Sequence, residues 1–261
     1  MNFTTDTQKM KTVLTAFASK GKFTTLGEDC YQITSCYVDI HEGFATFFSC
    51  SPDGVLCSKA YLDVVSDDEC SEVLITNLDL FLKDLKEMHE KLTTVIIDDE
   101  SIKVDDGVTE FGGGISNVTE TKVLLSRALS WVNCNRFEDD TIVFQFETNT
   151  YKYTPWFAVK DTSIFPKISA AALKRSEIND VQFKTEGGTL SIFGNDPTFK
   201  KTFNFRVPAE TFKDTECTIK YIFPILNSCS GPVTVYYYTQ SNGALRFWIS
   251  GEDNEWMLVT G

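Results

Sequence analysis

The chain of 261 residues has only two histidines, His41 and His89. Zinc sites, Ser-His-Asp triads and Cys-His dyads each need at least one histidine beside specific partners. His41 lies in the turn-like run Asp39-Ile40-His41-Glu42-Gly43, and His89 near the end of a charged helical pattern, so both read as surface side chains. The eight cysteines contain no Cys-x-x-Cys pair and do not gather around histidine. They read as reduced, half-buried small residues. The one glycine run, Gly112-Gly113-Gly114, is not followed by Gly-Lys-Ser/Thr and so lacks the lysine that a phosphate-cradling loop needs. It reads as the end of a strand. No apolar run approaches the roughly 18 residues of a membrane span. Met1-Asn2-Phe3-Thr4-Thr5-Asp6 has neither the basic region nor the apolar core of a signal peptide. The expectation is a cytoplasmic protein with no membrane partner, in which the glycosylation patterns Asn2-Phe3-Thr4 and Asn117-Val118-Thr119 carry little weight.

Positive charge is also scarce. The 24 Lys and Arg face 37 Asp and Glu, for a net charge of −13, and such a chain repels nucleic acid unless its cations share one surface. Acidic clusters stand at Asp67-Asp68-Glu69, Asp98-Asp99-Glu100, Asp105-Asp106 and Glu138-Asp139-Asp140. Paired carboxylates can serve a glycosidase or a two-metal nuclease. Each cluster falls between strand-like runs, however, where Asp favours tight turns, and the turn reading is preferred. No catalytic residue, metal site or cofactor is indicated.

What the chain does have is alternation. Strand patterns include Val73-Leu74-Ile75, Thr93–Ile97, Ser101–Val104, Thr189–Phe193, Lys201–Val207 and Val233–Tyr238. Asn242-Gly243 signals a hairpin between a Tyr-rich and a Phe/Trp-rich run. Helical spacing is confined to short stretches. Thr5–Ser19 aligns Met10, Val13, Leu14 and Phe17, with Asp6 suited to the first turn. Asn77–Lys91 buries Leu78, Phe81, Leu82, Leu85 and Met88 behind a capping Asn77. A third stretch spans about Phe165–Glu177. A fourth, about Asp214–Ser228, is kinked or shortened by Pro224.

The class is therefore α+β with much antiparallel sheet. The order helix, strands, helix, strands occurs twice, which predicts two similar domains, 1–150 and 151–261. A further amphipathic stretch, Thr119–Asn133, interrupts the symmetry, so the first domain is expected to carry an additional helix and strands over about 113–150.

Eleven of the 24 cations fall in or beside the four repeated helices: Lys9, Lys11, Lys20, Lys83, Lys86, Lys91, Lys167, Lys174, Arg175, Lys213 and Lys220. Solvated helix faces often carry lysine, and in the second helix these alternate with Glu. The functional reading is a helix-lined surface that meets phosphates without reading bases, since lysines are point charges on flexible stems. Arg175 is the one arginine among them, against bidentate readout of guanine.

Three stretches resemble the DNA sliding clamps, the ring family of proliferating cell nuclear antigen and the tailed-phage clamps. Val73–Met88 (VLITNLDLFLKDLKEM) resembles the strand leading into the second inner helix of the first domain. Thr202-Phe203-Asn204-Phe205, with the helix expected at Thr218–Ile222, resembles the approach to the last inner helix. Val233–Val259 resembles the three terminal strands, and Gln240–Ala244 is closest to the phage type. Residues 113–160 depart from the family pattern.

The resemblance implies two clamp domains per chain and a homotrimeric ring with helices lining the hole and sheets outside. It implies no catalytic activity, sequence-independent encirclement of double-stranded DNA, a tethered DNA polymerase, and an ATP-driven clamp loader supplied by other proteins. The DNA-facing residues would be Lys9, Lys11, Lys20, Lys83, Lys86, Lys91, Lys167, Lys174, Arg175 and Lys220. Partner peptides of the family enter near the C-terminal strand, which makes Trp256 and Leu258 candidates for that pocket, although simple core alternation accounts for them too. The competing reading is a β-rich structural or carbohydrate-binding viral protein whose helices only cover sheets.

Overall fold

The computed structural model describes residues 2–18, 23–25, 28–30, 35–41, 43–50, 56–66, 71–75, 77–98, 101–114, 135–136, 140–146, 148–164, 181–196, 201–219, 225–226, 229, 231–239, 241 and 245–260. The chain divides into two compact units, Met1–Ser19 with Gln32–Val132 and Lys20–Tyr31 with Asn133–Gly261.

Unit 1 opens with strand β1 (Asn2–Asp6) and helix α1 (Thr7–Ala18). Four strands follow: β4 (Cys36–His41), β5 (Phe44–Cys50) and β6 (Leu56–Asp63), joined as successive hairpins, and β7 (Ser71–Ile75), which returns to pair with β4. Helix α2 (Leu78–Lys86) and a meander of β8 (Leu92–Ile97), β9 (Ser101–Asp105) and β10 (Glu110–Gly114) complete it. The strands lie in two antiparallel runs, β1-β8-β9-β10 and β7-β4-β5-β6.

Unit 2 contains β13 (Asn149–Val159), β14 (Val181–Glu186), β15 (Thr189–Asp196), β16 (Lys201–Pro208), β18 (Thr215–Ile219), β19 (Val233–Thr239), β20 (Leu245–Ser250) and β21 (Asn254–Thr260). Its runs are β13-β19-β20-β21 and β18-β14-β15-β16. In both units the first strand joins the closing meander, and the four strands between are ordered fourth, first, second, third. The two units thus share one hydrogen-bonded strand order.

Unit 2 has an addition without a counterpart in unit 1. Strands β11 (Asn135–Arg136) and β12 (Ile142–Phe146) extend the sheet past β13. Phe144 on β12 reaches the Tyr151 ring of β13 at 5.9 Å and the Trp248 ring of β20 at 6.3 Å. This aromatic packing groups the strands of residues 135–146 with unit 2, whereas the sequence assigns them to the first domain. The small hairpin of β2 (Phe23–Thr25) and β3 (Glu28–Cys30) also groups with unit 2. The two-residue strand β17 (Glu210–Thr211) pairs with β13.

Local physics accounts for the boundaries. Asp6 Oδ1 accepts the Lys9 amide at 2.8 Å to start α1, whose Met10, Val13 and Leu14 are buried. Asn77 Oδ1 accepts the Leu80 amide at 3.0 Å to start α2, and Leu78, Phe81, Leu82 and Leu85 face inward. The β14–β15 turn places Gly187 and Gly188 both at positive φ, 54° and 79°, the pairing a two-residue primed turn demands.

One sequence reading is overturned. Asp214–Ser228 is not a helix from its start: Thr215–Ile219 is strand β18, paired with β14 from Thr185↔Thr215 to Val181↔Ile219. Its Thr-Glu-Cys-Thr-Ile composition is mostly β-branched, and an open ladder beside β14 outweighs a weak helical period. The helix expected to start at Thr218 therefore begins later; Ile225 and Leu226 are helical and fully buried. The helices expected at 119–133 and 165–177, and the turn Asn242-Gly243, lie outside the described residues, although β19 and β20 pair from Thr239↔Leu245 as that hairpin requires.

Candidate nucleic-acid interface

Five of the ten cations predicted to face DNA are described, all in unit 1. Lys83 and Lys86 occupy the last turn of α2, exposed on the side opposite its buried leucines, where cations also complement the helix dipole. Lys91, exposed, follows on the segment between α2 and β8. Lys9 on α1 is partly committed within the unit, with Nζ 2.9 Å from Asp63 Oδ2. Lys11 reaches across to α2, where its ammonium donates to the Lys86 and Met88 carbonyls at 3.2 and 2.5 Å. Lys20, Lys167, Lys174, Arg175 and Lys220 lie outside the described residues.

The segment after α2 leaves the helix earlier than its spacing predicts, at Glu87 instead of Lys91. Asp106, in the turn between β9 and β10, binds the backbone that follows. Its Oδ2 accepts the amides of His89 and Glu90 at 2.7 and 3.2 Å, and its Oδ1 those of Thr109 and Val108 at 2.8 and 3.1 Å. These four bonds, that from His89 foremost, hold its carboxyl well below the usual carboxylate range. The Asp-Asp-Gly run marks the turn in the sequence, but no local signal shows its reach to residues 89 and 90.

The other predicted features fall as follows. Asp98 accepts from Ser101 N and Oγ, and Asp105 from Gly107 N, so these two acids close turns. His41 is exposed with Nε2 2.8 Å from Asp39 Oδ2. Burial pushes the Cys217 and Cys229 thiols up to about 12, so neither is a thiolate at neutral pH. Trp256 and Leu258 are both 0% exposed. They offer no surface to a peptide within this chain and fill the core, as strand alternation allows. Among the described residues, no three His, Cys, Asp or Glu side chains are grouped to hold a metal ion, and no helix is long and apolar enough to cross a membrane.

No protein-family model matches the sequence, and no curated protein matches it. Solved structures do match, along the whole chain. The PCNA of A. fulgidus, solved with the C-terminal region of FEN-1, superposes with a TM-score of 0.62 at 13% identity, covering 100% of this chain and 97% of its own. In the PCNA2–PCNA3 complex of Sulfolobus tokodaii the values are 0.63, 15%, 99% and 98%. The chain has the fold of a DNA sliding clamp. The clamp fold extends to the bacterial type, for the DNA polymerase III beta subunit of Thermotoga maritima gives 0.62 at 14% identity, with this chain spanning 64% of its length. At such low identity the shared property is the path of the chain.

Proposed function

We propose that this protein works as a DNA sliding clamp: a non-catalytic processivity factor that encircles duplex DNA as a homotrimer and tethers a DNA polymerase. The observation that supports the reading most is the agreement of the entire chain with the entire length of PCNA chains, together with the repeated topology of its two units. Two clamp domains per chain make a ring of six from three copies. α1 and α2, with their counterparts in the second domain, would line the hole and bring Lys83, Lys86 and Lys91 to the phosphates. Delocalised lysine–phosphate contacts keep successive positions on the duplex nearly equal in energy, as sliding requires. An acidic exterior would keep the duplex from other surfaces. Closing such a ring on DNA needs an ATP-driven loader supplied by another protein.

Two measurements test this. Light scattering over a dilution series should show a species of three times 29.4 kDa, about 88 kDa; a stable dimer at every concentration counts against a six-domain ring. Primer extension by a cognate polymerase on a primed circular template should lengthen when protein and loader are added. Changing Lys83, Lys86 and Lys91 together to Glu should leave the fold intact and abolish that gain. Undiminished stimulation by the triple variant would falsify the DNA-facing assignment.

A further inference from the structure

Lys11 and Asp106 hold one short piece of backbone, the one by its carbonyls and the other by its amides. The last carbonyls of a helix lack intrahelical partners, and at the end of α2 the Lys11 ammonium takes those of Lys86 and Met88. The amides that follow, of His89 and Glu90, go to the Asp106 carboxylate. A third tie comes from the start of α1. The Thr7 amide donates to the Lys91 carbonyl at 3.0 Å, and the hydroxyls of Thr7 and Thr93 share a buried hydrogen bond of 2.7 Å. The backbone so held carries Lys86, His89 and Lys91 and starts less than one turn beyond Lys83. Lysine stems are flexible, so the spacing of these charges is set by the backbone beneath them.

The geometry points to Lys11 and Asp106 as a two-part clasp that positions the basic segment 83–91, with Lys11 acting as a helix cap and not as a phosphate contact. The inference rests on the proposed DNA-facing role of that segment. It assigns two of the chain's charges to positioning: a cation that the sequence places on the DNA side, and an anion that it places in an ordinary turn.

The sign of one substitution separates positioning from plain electrostatics. Asp106 is a negative charge beside a surface proposed to meet phosphate. By charge alone its neutralisation strengthens duplex binding; as half of a clasp its neutralisation weakens it. Asn at this position can accept from only one of the two amide pairs.

The experiment measures hydrogen–deuterium exchange of the DNA-free protein, and its affinity for a short linear duplex of mixed sequence across a salt series. It compares the wild type with Asp106→Asn, Lys11→Met and Lys11→Arg. Exchange at residues 87–91 is expected to quicken by about tenfold in Asp106→Asn and Lys11→Met, the scale of one lost hydrogen bond. Duplex affinity is expected to fall several-fold in both, although Asp106→Asn makes the protein less negative, and Lys11→Arg restores most of the protection. Tighter duplex binding by Asp106→Asn with native exchange at 87–91 overturns the clasp. So does a Lys11→Met variant with native exchange whose log–log salt slope drops by the roughly one unit of a lost phosphate contact. A wild-type protein with no duplex affinity at low salt overturns the DNA-facing reading instead, and the exchange data then still decide whether the clasp exists. Should Asp106→Asn fail to fold, the two Lys11 variants carry both measurements.

Discussion

Thr185 shows what a single side chain does in the core of unit 2. It is 1% exposed, and its Oγ1 accepts from Trp156 Nε1 at 2.9 Å and from the Thr215 amide at 3.1 Å while donating to the Lys213 carbonyl at 2.6 Å. Valine there keeps the shape and strands the buried Trp156 Nε1–H and the half-buried Thr215 amide. Thr185→Val should therefore cost about 3 kcal/mol in urea unfolding, at one to a few kcal/mol for each unsatisfied group, whereas Thr185→Ser should cost far less. Asp106 makes the pH counterpart. Its folded pKa is depressed by backbone amides, so its stabilisation is full above the ordinary carboxylate value of about 4 and is lost as pH falls below it. Thermal melting of Asp106→Asn should be lower than wild type at neutral pH, and the gap should close on the acid side. A constant gap down to low pH would contradict the assignment. Neither role is legible in the sequence, because each depends on groups distant along the chain: Trp156 lies 29 residues from Thr185, and His89 lies 17 from Asp106.

The elements divide by how local their causes are. α2 is legible because its signals lie within a dozen residues: a capping Asn77, then Leu78, Phe81, Leu82 and Leu85 on one face. Asn77→Ala should cost about 1 kcal/mol, read as a shift in the urea midpoint with unchanged slope, while Asn77→Asp should be close to neutral. Its C-terminal end was not legible, since Lys11 from α1 and Asp106 from the β9–β10 turn bind the backbone there. β18 shows the same limit. Thr215–Ile219 can match either period over five residues, and only the vacant ladder edge of β14 selects strand. This strand takes the fourth place in its run of unit 2, as β7 does in unit 1.

At the scale of the whole molecule, the proposed ring ties stability to concentration. Folded domains that associate are stabilised by mass action, so the melting temperature should rise as protein concentration is raised through the range where light scattering shows assembly. An unchanged melting temperature across that range would mean that the association contributes nothing to the fold. The charge pattern belongs to this scale as well. A net charge of −13 beside the lysines of α1 and α2, Lys9, Lys11, Lys83 and Lys86, is uninformative one residue at a time and acquires meaning when such helices share a surface.

Composition and periodicity by themselves determined that this chain is rich in antiparallel sheet, because that property depends on residue type and near-neighbour spacing. Tertiary structure alone decided which strands neighbour one another, that residues 215–219 complete a sheet, that Trp256 and Leu258 are core, and that Lys11 and Asp106 meet the end of α2. Those outcomes depend on which ladder edges and backbone groups the rest of the fold leaves open, and such vacancies exist only once distant segments have come together.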